Sequence, residues 1–301
     1  MNPHQQPAPT CFRHPDRVTG LGCTRCGRPA CPECLTPAAV GQQCVECVRQ
    51  GRNETRQVRN VGGAVASNHP QPYVTYGLIA LNLIVFAITA VQARTAMDMN
   101  SRNSELFYDW VLVPVAVGEG EWWRVLGSGF LHYGLIHVAV NMFALYVLGP
   151  YAEIALGRGR FVAVYFASLL GGSAAITALS EPLSASAGAS GAIFGLFGAV
   201  AVIMLRTKQN MTQILVLLVI NLIITFSVPN ISIWAHLGGL LAGTVATAGI
   251  LYLPRWLHAG TPKAAALIGW GAVAAVVVIA LAVTVFGAPS LPTVVNTLFN
   301  V

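Results

Sequence analysis

Charged residues are scarce in this 301-residue chain, where Lys, Arg, Asp and Glu together make up 9%. Soluble globular proteins carry roughly 25%. That scarcity excludes an ordinary soluble domain, and with 55% of residues hydrophobic it points to a membrane protein. Cysteine is missing from everything after residue 47, because all seven lie at or before it. Residues 1–50 also lack the apolar stretch of a secretory signal. The Cys-rich head is therefore expected to stay in the cytosol, where disulfides are rare.

What is present divides unevenly. Residues 1–72 hold eight of the seventeen Lys and Arg, four of the eleven Asp and Glu, and every cysteine. Residues 1–10 are Pro/Gln-rich and read as a disordered tail, 11–48 as a Cys-rich domain, and 49–72 as a flexible basic linker. That linker carries Arg49, Arg52, Arg56, Arg59 and Gly62–Gly63, and is expected to lie near the anionic inner membrane surface. Seven apolar segments follow, at 73–93, 131–150, 160–179, 187–205, 211–228, 233–253 and 264–287. Each reaches the roughly 17–25 residues a membrane span needs, and 211–228 is the shortest. The predicted fold is an all-α polytopic membrane protein, with six helices over 73–253 and a seventh helix and tail over 254–301.

Loop charges orient the body. With the head inside, Arg158, Arg160, Arg206, Lys208, Arg255 and Lys263 also lie inside, which places fourteen of the seventeen basic residues there, as the positive-inside rule requires. The C-terminus then lies outside, and segments two, four and six all begin at the outer face. Their first turns carry His132, His137 and Asn141, then Ser190, then His236.

Ionisable groups within a membrane default to function. Ser190 lies in Gly188-Ala189-Ser190-Gly191 and His236 in Ala235-His236-Leu237-Gly238-Gly239. Segment four has small residues at four-residue spacing (Ala187, Gly191, Gly195, Ala199), and so has segment six (Ala235, Gly239, Gly243, Thr247). Such stripes favour close helix contact in membranes, which would bring Ser190 and His236 together. A serine hydroxyl needs an adjacent base to act as a nucleophile. Asp and Glu are absent around His236, so a Ser–His dyad is predicted, its imidazole oriented by another side chain's hydrogen bond or by ring stacking. His137 and Asn141 share a helix face and, with the Ser190 N–H, can stabilise an oxyanion.

In the head, Cys11-x-x-His14, Cys23-x-x-Cys26, Cys31-x-x-Cys34 and Cys44-x-x-Cys47 supply eight ligands for two tetrahedral zinc ions. Seven cysteines cannot all form disulfides, and no βαβ pattern supports a redox CxxC. Alternating ligation would join Cys11, His14, Cys31 and Cys34 at one metal and Cys23, Cys26, Cys44 and Cys47 at the other. Sequential ligation is the alternative. So short a domain would draw its folding energy from the metals. Its cysteine spacing resembles B-box-type cross-braced zinc fingers. His4, His69 and His258 are read as solvated tail, linker or interface residues.

Residues 121–253 resemble the six-helix core of the rhomboid proteases. The resemblance rests on Trp123-Arg124, His132, His137-x-x-x-Asn141, Glu153-x-x-x-Gly157, Gly188-Ala189-Ser190-Gly191, and Ala235-His236 with Gly239 and Gly243. It implies an intramembrane serine endopeptidase with Ser190 as nucleophile, His236 as base, and Ser190 N–H, His137 and Asn141 at the oxyanion. Trp123-Arg124 would support the outer loop, Glu153 a structural contact, and His132 the hydrogen-bonded water and loop network. No cofactor is implied for catalysis. Phe194 stands where the family often carries Tyr, and its ring can stack on His236. The implied substrates are single-span membrane proteins, cut where helix-destabilising small residues lie.

A non-proteolytic, client-binding relative is the main rival, although it would be expected to lack Ser190 or His236. A proton-coupled transporter would place its polar groups near the midplane, and a structural scaffold leaves their convergence unexplained. Membrane lipids and a cytoplasmic protein partner of the head are expected. The head's charge balance is too modest to favour nucleic acid. A bacterial plasma membrane is the expected location.

Overall fold

A computed structural model of the protein describes residues 8–54, 59–65, 70–97, 104–227 and 231–294. His4, Arg56, His69, Asp98 and Arg102, with most of the expected tail, lie outside the described residues. Backbone contacts divide the chain into two compact units, Met1–Val58 and Arg59–Val301.

In the first unit β1 (Leu35–Pro37) pairs antiparallel with β2 (Gln42–Cys44), Leu35 opposite Cys44, and α1 (Val45–Glu54) follows at once. Apart from cysteines, Ala30 is the one buried hydrophobic side chain among this unit's described residues. A chain this short cannot be held by such a core, and clustered cysteines occupy its place. The fold begins earlier than expected, since Pro9 O accepts from Thr19 N at 2.9 Å and Thr10 bridges Val18. The helix also runs through Arg49 and Arg52, so the first residues of the expected linker are helical. Arg25 anchors that stretch, donating to Cys47 O at 3.2 Å and pairing with Glu54 at 2.9 Å.

The second unit begins with α2 (Tyr73–Ala93). A long connection carrying the short helices α3 (Glu105–Trp110), α4 (Pro114–Gly118) and α5 (Arg124–Gly127) comes next. Then follow α6 (Leu135–Leu156), α7 (Arg158–Leu179), α8 (Ser190–Thr207), α9 (Thr212–Ser227), α10 (Ile233–Leu251), α11 (Leu253–Trp256) and α12 (Pro262–Gly287). Six of these helices, α2, α6, α7, α8, α10 and α12, are long and apolar enough to cross a bilayer, and the chain is a multi-pass, all-α membrane protein. Each of the seven expected apolar segments contains a helix, but α6 begins only at Leu135, so His132 lies in the connection before it and not in its first turn as expected. At 1.5 Å per residue the sixteen residues of α9 reach about 24 Å, short of the ~30 Å hydrocarbon layer.

Twelve of the eighteen residues of α8 are buried, which makes it the centre of the bundle. Its backbone touches α10 directly. A Cβ on Gly239 would overlap the Gly191 carbonyl, and one on Gly243 would overlap the backbone of Gly195. The two small-residue stripes therefore meet, with α7 closing the third side through Gly171 and Gly172. The outermost of the six long helices, α12, lies against α7 and α10.

The far end of α6 is tied down by one carboxylate. Glu153, 2% exposed, accepts from Val74 N at 3.1 Å, Thr75 N at 2.8 Å and Thr75 Oγ1 at 2.8 Å. It thereby satisfies donors at the start of α2 that have no partner within the helix. The described part of the expected linker also docks at this end: Asn60 Nδ2 donates to Ile154 O at 3.1 Å and Gly62 N to Ala155 O at 2.9 Å.

Candidate functional site

The long connection before α6 is stitched by the pair Trp123-Arg124. Arg124 is buried and donates to Tyr108 O at 2.7 Å and Val111 O at 2.8 Å, while pairing with Glu121. The Trp123 indole donates to Asp109 O at 2.9 Å. The connection then reaches the segment before α8. Leu112 and Ser186 exchange backbone hydrogen bonds, and Gly188 N donates to Ser128 O at 2.9 Å. Gly188 itself has φ +134°, and a Cβ there would lie 3.0 Å from His137 Nε2 and 3.7 Å from Ser190 Oγ. Only glycine suits that backbone, and its missing side chain leaves His137 close to Ser190.

Ser190 is the first residue of α8, where backbone N–H groups have no acceptor within the helix. It shares one cavity of about 1170 Å³ with His137, Asn141, Phe194, Thr225 and His236. His236, buried in the first turn of α10, is held on two sides. The Phe194 ring stacks on it with centroids 3.9 Å apart and planes 11° from parallel. Thr225 Oγ1 lies 2.7 Å from its Nδ1. The expected ring stacking is present, and the expected hydrogen-bond partner is Thr225, a residue that no sequence pattern singles out. Threonine in an apolar helix ordinarily bonds back to its own backbone, as Thr89 and Thr207 do here.

His137 Nδ1 accepts from Tyr133 N at 3.3 Å. A neutral imidazole carries one proton, and with Nδ1 accepting, the neutral ring would carry it on Nε2, the nitrogen beside Gly188. Asn141 donates to His137 O at 2.9 Å, using one of its two amide hydrogens and leaving the other. His132 is fully buried, edge-on to His137 at 5.1 Å between centroids, and neither of its nitrogens has a partner among the described residues. His132 is not among the cavity-lining residues.

In the first unit the eight expected ligands fall into two groups. Cys11, His14, Cys31 and Cys34 form one, and Cys23, Cys26, Cys44 and Cys47 the other, with ligand atoms in each within 4.8 Å of one another. His14 Nδ1 lies 3.4 Å from Cys31 Sγ and 3.5 Å from Cys34 Sγ, and Cys26 Sγ lies 3.8 Å from Cys44 Sγ. A tetrahedron with sulfur at ~2.3 Å and nitrogen at ~2.0 Å from its centre has edges of about 3.5–3.8 Å. Three thiols with one imidazole, and four thiols, are donor sets that can each hold a metal ion in that arrangement. Hydrogen bonding, led by the Cys44 backbone, draws the Cys23 thiol down to about 6, whereas burial pushes Cys47 up to about 12. A bound metal ion would hold these thiols deprotonated.

Residues 119–253 match the Rhomboid domain family. Rhomboid protease GluP of Bacillus subtilis is 35% identical over 235 residues, which cover 75% of this chain and 42% of that protein. Rhomboid-like protease 1 of Toxoplasma gondii is 30% identical over 186 residues, 58% of this chain and 63% of that one. Putative rhomboid protease YdcA of Bacillus subtilis is 33% identical over 178 residues, 57% of this chain and 85% of its own length. With a third of residues shared across nearly the whole of that shorter relative, and the bundle described above, this chain belongs to the rhomboid family.

Proposed function

We propose that the protein is an intramembrane serine endopeptidase that cuts membrane-spanning segments with a Ser190–His236 dyad. The observation that carries this reading is the clamped imidazole: His236 is fixed between Phe194 and Thr225 in the cavity that also holds Ser190 at the start of α8. His236 removes the Ser190 hydroxyl proton as Oγ attacks the scissile carbonyl carbon. The carbonyl oxygen takes up negative charge and is stabilised by Ser190 N–H, His137 Nε2–H and the spare Asn141 amide hydrogen. In acyl-transfer enzymes one such donor is worth about 2.7–4 kcal/mol. Collapse breaks the C–N bond, His236 returns the proton to the leaving amine, and water releases the acyl group by the same steps in reverse order.

The substrates of this reading are single-span membrane proteins whose helices unwind at small residues, exposing carbonyls that a helix would hide. The head is cytoplasmic and the C-terminus extracytoplasmic, in a bacterial plasma membrane, with the dyad near the outer face. The two head clusters hold one zinc each by alternating ligation. Zinc there is structural, replacing the core that so few residues cannot build, and the B-box-like head binds a cytoplasmic protein. The domains of this reading are a head over 11–48 that also takes in Pro9, Thr10 and the rest of α1, a linker ending at 72, a six-helix core over 73–253 and a seventh helix and tail over 254–301.

The test is cleavage of a fluorogenic membrane-span substrate by the full chain in mild detergent. The parent should cut, whereas Ser190→Ala and His236→Ala should not. A folded, metal-loaded parent that binds such substrates without cutting them would favour the client-binding alternative.

A further inference from the structure

α9 is short and largely exposed, and Ile214 and Thr225 are its only buried residues among those described. Ile214 joins the apolar core. Thr225 is 2% exposed and faces the catalytic cavity. Its hydroxyl oxygen has two near neighbours, Asn221 O at 2.7 Å and His236 Nδ1 at 2.7 Å.

Proton counting decides what these contacts are. A hydroxyl has one hydrogen, and a carbonyl can only accept. At 2.7 Å the two oxygens need a hydrogen between them, so the Thr225 hydrogen points to Asn221 O. The bond to His236 must then run the other way, with Nδ1–H donating to the Thr225 lone pair. Reversing it would leave two oxygen atoms in unrelieved contact within a buried site, where a lost hydrogen bond costs most. Phe194 fixes the plane of the ring, and Thr225 fixes its rotation within that plane.

We propose that Thr225 is a positioning residue that sets the tautomer of His236, holding the proton on Nδ1 and leaving Nε2 as the base. A neutral hydroxyl thus does part of what a carboxylate does in a serine triad: it orients the ring and selects its tautomer, but adds no charge to stabilise the imidazolium. The tautomer assignment stands on geometry, while its effect on turnover rests on the Ser190–His236 reading.

The test uses the full chain, histidine-labelled with ¹⁵N, in detergent, with His236→Gln to assign the signal. At a pH where the imidazole is neutral, the parent should show a protonated Nδ1 and an unprotonated Nε2. Thr225→Val preserves shape and branching but cannot accept a hydrogen bond, so it should average the two nitrogens. In the cleavage assay it should lower kcat about 10- to 100-fold, within the span general-base catalysis covers, with KM within about twofold. Thr225→Ser should recover most of that loss. A parent whose proton sits on Nε2 overturns the proposal, and so does a folded Thr225→Val with unaltered nitrogen shifts. A parent with the expected tautomer that fails to cleave supports the positioning role and sinks the protease reading instead.

Discussion

The Phe194 ring lies flat on the imidazole of His236, 3.9 Å between centroids and 11° from parallel, although they lie 42 positions apart in sequence with a whole helix between them. The contact spans the α8–α10 seam, where glycine faces glycine, so the ring that steadies His236 is carried by the same helix as Ser190. Stacked aromatic pairs contribute about 0.5–1.5 kcal/mol beyond buried area, and about 1.4 kcal/mol is tenfold in rate. Phe194→Ala is expected to lower kcat about tenfold. Phe194→Tyr keeps the ring and should stay within about twofold of the parent. Steady-state cleavage of a membrane-span substrate reads both, and a Phe194→Ala variant as fast as the parent would remove stacking from the mechanism.

The glycine seam makes a sharper stability prediction. A Cβ at Gly239 has nowhere to go but into the Gly191 backbone, whereas one at Gly77 in α2 meets nothing within 4 Å. Gly77→Ala should therefore be neutral or stabilising by about 0.4–1 kcal/mol, from reduced freedom of the unfolded chain. Gly239→Ala forces α8 and α10 apart and should cost about 2–3 kcal/mol, as overpacking of a tight core does. Thermal unfolding in detergent should order the three proteins Gly77→Ala, parent, Gly239→Ala from most to least stable. A Gly239→Ala protein melting with the parent would mean that the seam can open without cost.

Much of this arrangement is legible in the residues because a membrane makes its demands local. Backbone hydrogen bonding within lipid requires helices, so apolar run length alone places them. Small residues four apart mark the seam, and Ser190 and His236 stand out because polar groups are rare there. Thr225 is not legible in this way. Its spacing in α9 resembles that of any helical threonine, and only the rotation of α9 against α10 turns it toward His236. The docked stretch around Asn60–Ala64 also escapes notice, because Gly62–Gly63 in a basic, Pro-flanked segment reads as flexible. What fixes it are carbonyls at the end of α6, more than ninety residues away. In the head, cysteine spacing alone leaves both ligand pairings open, and the chain's three-dimensional path is what brings Cys11 to Cys31.

Glu153 acts as a cap supplied by a different helix. The N-cap of α2 is Pro72, which makes no side-chain cap bond, and the Glu153 carboxylate serves the first-turn donors in its place. Glu153→Ala strands those buried groups and should cost about 2–3 kcal/mol. That corresponds to roughly 3–5 °C in melting temperature for a protein of this size. Glu153→Gln keeps one acceptor oxygen and should lose less than half as much. Thr75→Val, which removes only the hydroxyl donor, should cost about 1 kcal/mol, and combined with Glu153→Ala it should add little, since both act on one contact.

The two Cys/His clusters of the head permit a test that separates the ligand pairings by counting. In the alternating arrangement Cys11 and Cys31 belong to the same site. A Cys11→Ser/Cys31→Ser protein then loses one ion and keeps the other, held by Cys23, Cys26, Cys44 and Cys47. Under sequential ligation the same two cysteines belong to different sites, and both ions go. Elemental analysis of the purified full chain should give about two zinc ions for the parent and about one for the double variant, as a tetrahedral site needs all four ligands. Because thiolates must be deprotonated to bind, lowering the pH should release both ions from the parent as protons compete for sulfur. A double variant retaining no zinc while the parent holds two would refute the alternating pairing. A parent that binds no zinc, cobalt or iron when refolded with each would remove the metal reading of the head altogether.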